Sequence, residues 1–413
     1  MPSSRSGFAR ALLVAAIVLG VYGRVVGHVL KTTHHGNYSG FIQISQYKYD
    51  RNPVLADRKD IRRTLILVEW GGYDGQFMYI AAFDPLILRF ADAVVQYNSV
   101  MDAPPYRFGR IGFSWLTRAF AFSRWRAFPA TMVWLVVGGA TLTAWALAML
   151  AVRAGRSPAW GLVAIAVPGF WASALAALPE PIAAALLVVG YLCLRKQHWT
   201  AAGVALAVSL LVRETGAIFV LCMIGATWRA AGRRTAWSFA TVSLLPVVVW
   251  RAYVAWRFYH TWGAEALFYD PHDLGVPFAG FVELWRSIAA GTYHSNAPAL
   301  ARSGTWLPLL VTAGLLTSAV WWWRRRSALA LAAVLYGLIA VSLNFGNIWV
   351  HVGNGQRGTY EMFVMLAMAA GGEPAGSRAW RVLIGAFWIA ATVYVFAASA
   401  DVEAIQAALR PAA

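Results

Sequence analysis

Acidic residues are scarce in this chain. It has 413 residues, with 18 Asp and Glu against 35 Lys and Arg, and only 13% of all positions are charged. Soluble domains carry roughly a quarter charged residues, so a water-soluble globular protein is excluded and a bilayer is the expected solvent. The net charge of +17 does not point to nucleic acid, because the basic residues fall largely at the ends of apolar runs, where they set membrane orientation. Cysteine is nearly absent: Cys193 and Cys222 both lie inside apolar runs, which excludes a disulfide framework and a zinc-ligand spacing. Internal repeats, low-complexity tracts, a P-loop and a dinucleotide fingerprint are also missing.

What remains is largely hydrophobic, 59% of the chain. Apolar runs bounded by Arg, Gly and Pro predict an all-α polytopic membrane protein of roughly eleven transmembrane helices. They lie near 8–30, 129–152, 158–178, 181–194, 199–212, 215–228, 236–256, 306–323, 327–343, 358–371 and 380–400. A crossing helix needs about 20 residues, so 181–194, 199–212 and 215–228 read as partial, tilted or broken helices. The basic start and first apolar run resemble a signal peptide, but the run is long and more follow, so an uncleaved first helix is expected.

With these spans alternating, Arg5 and Arg10, Arg153 and Arg156, Arg195 and Lys196, Arg229 to Arg234, Arg324 to Arg326, and Arg378 and Arg381 fall on one side. Basic short loops mark the cytoplasm. A single integral membrane domain, 1–413, is then expected in the inner (plasma) membrane with its N-terminus cytoplasmic. Its long loops, 31–128 and 257–305, are expected outside. The first should carry short interfacial helices, since "FGRIGFSWLTRAFAFSRW" alternates basic and aromatic residues.

The first outer loop holds the most motif-like sequence. Asp74 stands in "GGYDGQF", among glycines that permit tight turns, with Gln76 beside it and Tyr73, Phe77 and Tyr79 as apolar walls. A carboxylate beside aromatics can have its pKa raised, which suits a general base; the competing reading is a turn aspartate bonded to its own backbone. Asp84, before Pro85, reads as a cap or as a substrate contact. Arg107 and Arg110, three apart, form a candidate phosphate clamp or contact lipid headgroups.

Glu180 opens one apolar run, and Arg213 and Glu214 separate two others. Such charges usually face a cavity or a partner. Arg357, in "HVGNGQRGTYEMF" with His351, Gln356 and Glu361, is a second candidate for phosphate. "YDPHDLG" places Asp270, His272 and Asp273 close together, as a metal site or a solvated turn.

The stretch "YDGQFMYIAAFDP", followed by "PPYRFGRIGFSWL", "LPEPIAAALLVVGYL" and "LVRETGAIFV", resembles bacterial members of the GT-C superfamily of integral membrane glycosyltransferases. The order of motifs covers about the first 230 residues; hydropathy alone carries the rest, and Met78 stands where many members have an aromatic. The resemblance implies an enzyme that moves a sugar from a polyprenyl-phosphate donor to a glycan, lipid or protein acceptor at the outer membrane face, usually with inversion. Asp74 would be the catalytic base. Tyr73, Gln76, Tyr79, Asp84, Arg107, Arg110, Glu180, Arg213, Glu214 and Arg357 are the expected substrate contacts. Some members use a divalent metal; no ligand set is evident here, and no cofactor is assigned. The alternatives are a transporter or flippase of a lipid-linked substrate, and a non-catalytic envelope assembly subunit.

Overall fold

The computed structural model describes residues 4–69, 71–89, 100–101, 103–263, 273–293, 298–372, 377–399, 401 and 403–405. Helix α1 (Ser4–Thr32) precedes a region of short pieces: α2 (Gln46–Asp50), α3 (Lys59–Arg62), α4 (Gly75–Phe83), α5 (Pro104–Gly109) and α6 (Gly112–Phe120). Two-residue strands β1 (Ile44–Ser45) and β2 (Leu67–Val68) pair in parallel within it. The bundle continues with α7 (Phe128–Arg153), α8 (Pro168–Ala174), α9 (Glu180–Leu194), α10 (Trp199–Val212) and α11 (Ala217–Trp262). It closes with α12 (Ala279–Ala289), α13 (Pro298–Arg325), α14 (Ala328–Ser342), α15 (Val352–Gly358), α16 (Tyr360–Gly372) and α17 (Arg378–Val393).

Among the described residues, five helices are long and apolar enough to cross a membrane, where the sequence suggested roughly eleven. Helices α9, α10, α14 and α16 are apolar but have only 13 to 15 residues, about 20–22 Å of rise against a hydrocarbon core of about 30 Å. Every residue of α16 is buried, so protein rather than lipid surrounds it.

The apolar run 158–178 is not one helix. A 3₁₀ turn, Pro158–Ala166, meets α8 at extended Val167, because a proline such as Pro168 lacks the N–H that would continue the ladder and disfavours helix in the residue before it.

Helix α11 bends back on itself. Gly232 within it has φ 82° and ψ 171°, a conformation glycine alone adopts readily. Glu214 and Arg251 lie 3.8 Å apart, whereas a straight helix would separate them by about 55 Å. The segment is thus a hairpin whose arms match the expected spans 215–228 and 236–256. Its second arm runs to Trp262, and α13 begins at Pro298.

The helices run between two chemically different ends. At one end, Gly7 packs on Val152, Arg156 donates to the Ala370 carbonyl, Arg324 donates to Ser377, and Arg195 shares a cavity wall with Ser327. This end gathers the basic clusters noted above. At the other end, the start of α9, the second arm of α11 and α15 bring Glu180, Arg251 and Arg357 to Asp74, Phe108 and the other residues that pair Asp, Glu and Arg.

Candidate functional site: an arginine–carboxylate network between two cavities

Asp74 immediately precedes α4, yet its side chain accepts no capping hydrogen bond. The turn-aspartate reading therefore fails. Its Oδ1 lies 3.1 Å from Arg107 Nη1, and its Oδ2 accepts from Arg357 Nη2 at 3.1 Å. Gly72, at φ +73°, shapes the approach: a Cβ there would fall 2.6–2.7 Å from the Gln76 amide and the Gln43 carbonyl.

The network continues inward. Arg357 Nε donates to Glu180 Oε1 at 2.9 Å, and Arg213 Nη1 donates to the same oxygen at 2.6 Å. Ser173 Oγ donates to Glu180 Oε2 at 2.8 Å. Glu180 is fully buried, and charges in that position are tolerated only when paired and hydrogen-bonded. Arg213 Nε also lies 3.5 Å from Glu361 Oε1, which accepts from the Thr215 hydroxyl. Arg110 grips Glu214 with two N–H groups, the Nε contact to Oε2 at 2.6 Å, and Arg251 Nη2 stands 3.8 Å from that same oxygen.

Five guanidiniums thus meet four carboxylates, leaving one net positive charge. Residues 74, 107, 110, 180, 213, 214 and 357 come together from five separate stretches of chain.

Burial pushes the Asp74 carboxyl up, but Arg107 and Arg357 overcome it and hold the group well below the usual carboxylate range. This corrects the expectation of a raised pKa: the flanking groups that decide it are cations, not aromatic rings. Asp74 is ionised at neutral pH, and the stability its pairs contribute is present above the unfolded carboxylate range and lost as pH falls through the depressed folded value.

Three expected substrate contacts make structural contacts, and of them Gln76 also lines the cavity at Asp74. Gln76 is buried, its Oε1 accepting from Ser45 N–H at 3.1 Å and its amide donating to the Gly71 carbonyl, so it holds the loop that carries Asp74. Tyr79 is buried against Phe83 and Phe128. Asp84 accepts from the N–H groups of Leu88 and Arg89, each at 2.9 Å, as a turn cap. Tyr73 remains at the site: its hydroxyl donates to Asn354 at 2.5 Å and Arg357 stacks over its ring. Asp270 and His272 lie outside the described residues. Asp273 lines the second cavity below. Among the described residues no cluster of three or more His, Cys, Asp or Glu side chains is placed to hold a metal.

Two cavities flank the network and share Asn354. The larger, about 640 Å³, is lined by Asp74, Tyr73, Lys48, His351, Tyr293 and Asp401. The smaller, about 380 Å³, combines Arg110, Arg213, Arg251 and Arg357 with apolar Leu274, Ile339, Leu343 and Ile348. Lys48, Arg251, Asn354 and Asp401 were not singled out from sequence. Arg251 stands in an apolar run, "VVVWRAYVAW", and an arginine breaking such a run was the available signal.

Asp401 gives a prediction. Burial pushes its carboxyl up to about 6, against a weaker downward pull from the Ser399 hydroxyl. A carboxyl raised by folding binds more protons folded than unfolded, so its contribution is most favourable below the ordinary aspartate range and is lost as pH rises through about 6. Melting temperature in detergent should fall between pH 5 and 7, and Asp401→Asn should flatten that slope.

No protein-family profile matches the chain, and no curated protein or solved structure matches it either.

Proposed function

We propose that this chain is an inverting membrane glycosyltransferase of the GT-C type. It transfers a sugar from a polyprenyl-phosphate donor to an acceptor hydroxyl at the extracytoplasmic face of the plasma membrane, with the arginine-rich end of the bundle cytoplasmic. The observation that carries this reading is the position of Asp74: uncapped, ionised, clamped between Arg107 and Arg357, with a polar cavity on its own side and an arginine-lined apolar cavity beyond Arg357.

The apolar cavity suits a lipid-linked phosphate, and the polar one suits a hydroxylated acceptor. The acceptor oxygen gives its proton to the Asp74 carboxylate and attacks the anomeric carbon. The bond from that carbon to the phosphate oxygen breaks, and polyprenyl phosphate departs with the electron pair. Arg357 and its neighbours meet the charge that develops on it.

A base depressed by two arginines is weak, and donor binding addresses this. A phosphate drawing on the field of Arg357 and Arg107 relaxes their hold on Asp74 and returns basicity to it at the moment of reaction.

A carrier of an anionic lipid is the second reading, favoured by the helix break at Arg213, itself one of the buried charges. One experiment separates the two. Purified protein is incubated with a panel of polyprenyl-phosphate sugars and candidate acceptors, and free polyprenyl phosphate and glycosylated product are followed by mass spectrometry. The glycosyltransferase reading expects both products. Intact donor throughout, with donor moved across proteoliposome membranes, would establish the carrier. The sidedness follows from single cysteines introduced at positions 71 and 326 in a background lacking Cys193 and Cys222: position 71 should react with an impermeant maleimide from outside and position 326 only after lysis.

A further inference from the structure

A cavity near the arginine-rich end lies far from the charge network. It measures about 800 Å³ and is a groove between three helices. Its floor is the start of α14, with Ala328 and Leu331. One wall is the first arm of α11, with Leu221, Gly225 and Arg229; the other is the end of α13, with Trp322 and Arg326. Nothing lies within 4 Å of where a Cβ of Gly225 would stand, so the groove is open along its wall. A second cavity of about 280 Å³ shares Ala226, Ser327 and Ala328 with it and brings Arg195 to the other side of the same helix start.

The charge in this groove is of one sign. Arg229 and Arg326 are exposed, and among the described residues neither faces a carboxylate. Arg326 instead rests on the rings of Trp322 and Trp323, at 4.5 and 4.8 Å. The first turn of α14, capped by Ser327, points its free N–H groups the same way. Below the rim the walls turn apolar through Gly225, Cys222 and Leu221, about 12 Å along α11 from Arg229. Exposed Trp228 and Trp323 flank the rim, where indoles sit at a membrane–water boundary. A basic, aromatic rim over an apolar slot matches one molecule: an anionic headgroup above an acyl chain.

We infer that this groove binds an anionic phospholipid, with the headgroup phosphate held by Arg229 and Arg326 at the start of α14 and an acyl chain lying along α11. The site is independent of the proposed reaction, which lies at the other end of the bundle.

The test is native mass spectrometry of the purified full-length chain, released from micelles doped equally with phosphatidylglycerol and phosphatidylcholine. Phosphatidylglycerol adducts should dominate. The pair Arg229→Gln and Arg326→Gln should lower that preference roughly 30-fold, as expected for two charges at an anionic surface. Gly225→Leu should fill the slot and remove the adduct with no change in charge. The pair Arg378→Gln and Arg381→Gln removes two exposed charges from the same end outside the groove and should leave it intact. Equal retention of the two lipids overturns the assignment. So does retention after Gly225→Leu, an equal loss in the 378/381 pair, or a dimer of the chain in place of lipid adducts.

Discussion

On the proposed glycosyltransferase reading, Asp74→Asn should leave a folded, monodisperse protein whose turnover falls about 10²–10⁴-fold, the usual contribution of a positioned general base. The isosteric amide keeps the volume of the side chain and removes both its charge and its capacity to take a proton. Its two partners are not stranded together, because Arg357 keeps Glu180 at 2.9 Å while Arg107 stays over the Phe77 ring. Folding should therefore survive, read as a retained gel-filtration profile and a melting temperature lowered by only a few degrees. A second readout separates chemistry from binding: the net charge of the site rises by one, so donor KM should hold or fall while kcat collapses. Turnover within a few-fold of the parent chain would remove Asp74 from the chemistry.

The second large effect is on stability. Glu180 is fully buried and holds both Arg213 and Arg357, as no other carboxylate among the described residues does, with Ser173 donating to its other oxygen. Removing one partner of a buried ion pair costs about 3–5 kcal/mol, because the remaining charge stays desolvated without compensation. Glu180→Ala strands parts of two guanidiniums, so the variant should melt many degrees lower or fail to leave the membrane as a monodisperse species. Glu180→Gln keeps the shape and the Ser173 contact and should fall between. A melting temperature for Glu180→Ala equal to that of the parent chain would show that the pairs contribute little.

The two effects differ in kind because burial differs. The Asp74 side chain is 26% exposed and faces a cavity, whereas that of Glu180 is at 0%. A solvated carboxylate can be exchanged for an amide at modest cost; a desolvated one between two cations cannot.

Much of the site was legible in sequence because of solvent. In a chain that is 13% charged, Asp, Glu and Arg inside or beside apolar runs are expensive. That expense marked Glu180, Arg213 and Glu214 without any geometry, while Asp74, Arg107, Arg110 and Arg357 stood out by the motif-like polar stretches that hold them. Arg251, inside the expected span 236–256, carried the same signal but no partner could be named for it from sequence, since only the Gly232 hairpin brings it back to Glu214. Composition placed Tyr79 and Gln76 beside Asp74, but not their packing: the first turns of α4 bury Tyr79 in the core and tie Gln76 to the loop at the wall of the Asp74 cavity. The direction of the Asp74 pKa shift was likewise beyond sequence, since Arg357 lies 283 residues away along the chain.

Hydropathy and charge placement along the chain determined by themselves a helical, membrane-embedded class and the short roster of costly polar residues, because both follow from local transfer energies. Tertiary structure alone decided which acid meets which base, which short helix is wrapped in protein, and where the two cavities open. Those outcomes depend on contacts between distant segments, and a buried charge is stabilised only by whatever the fold brings within about 3 Å of it.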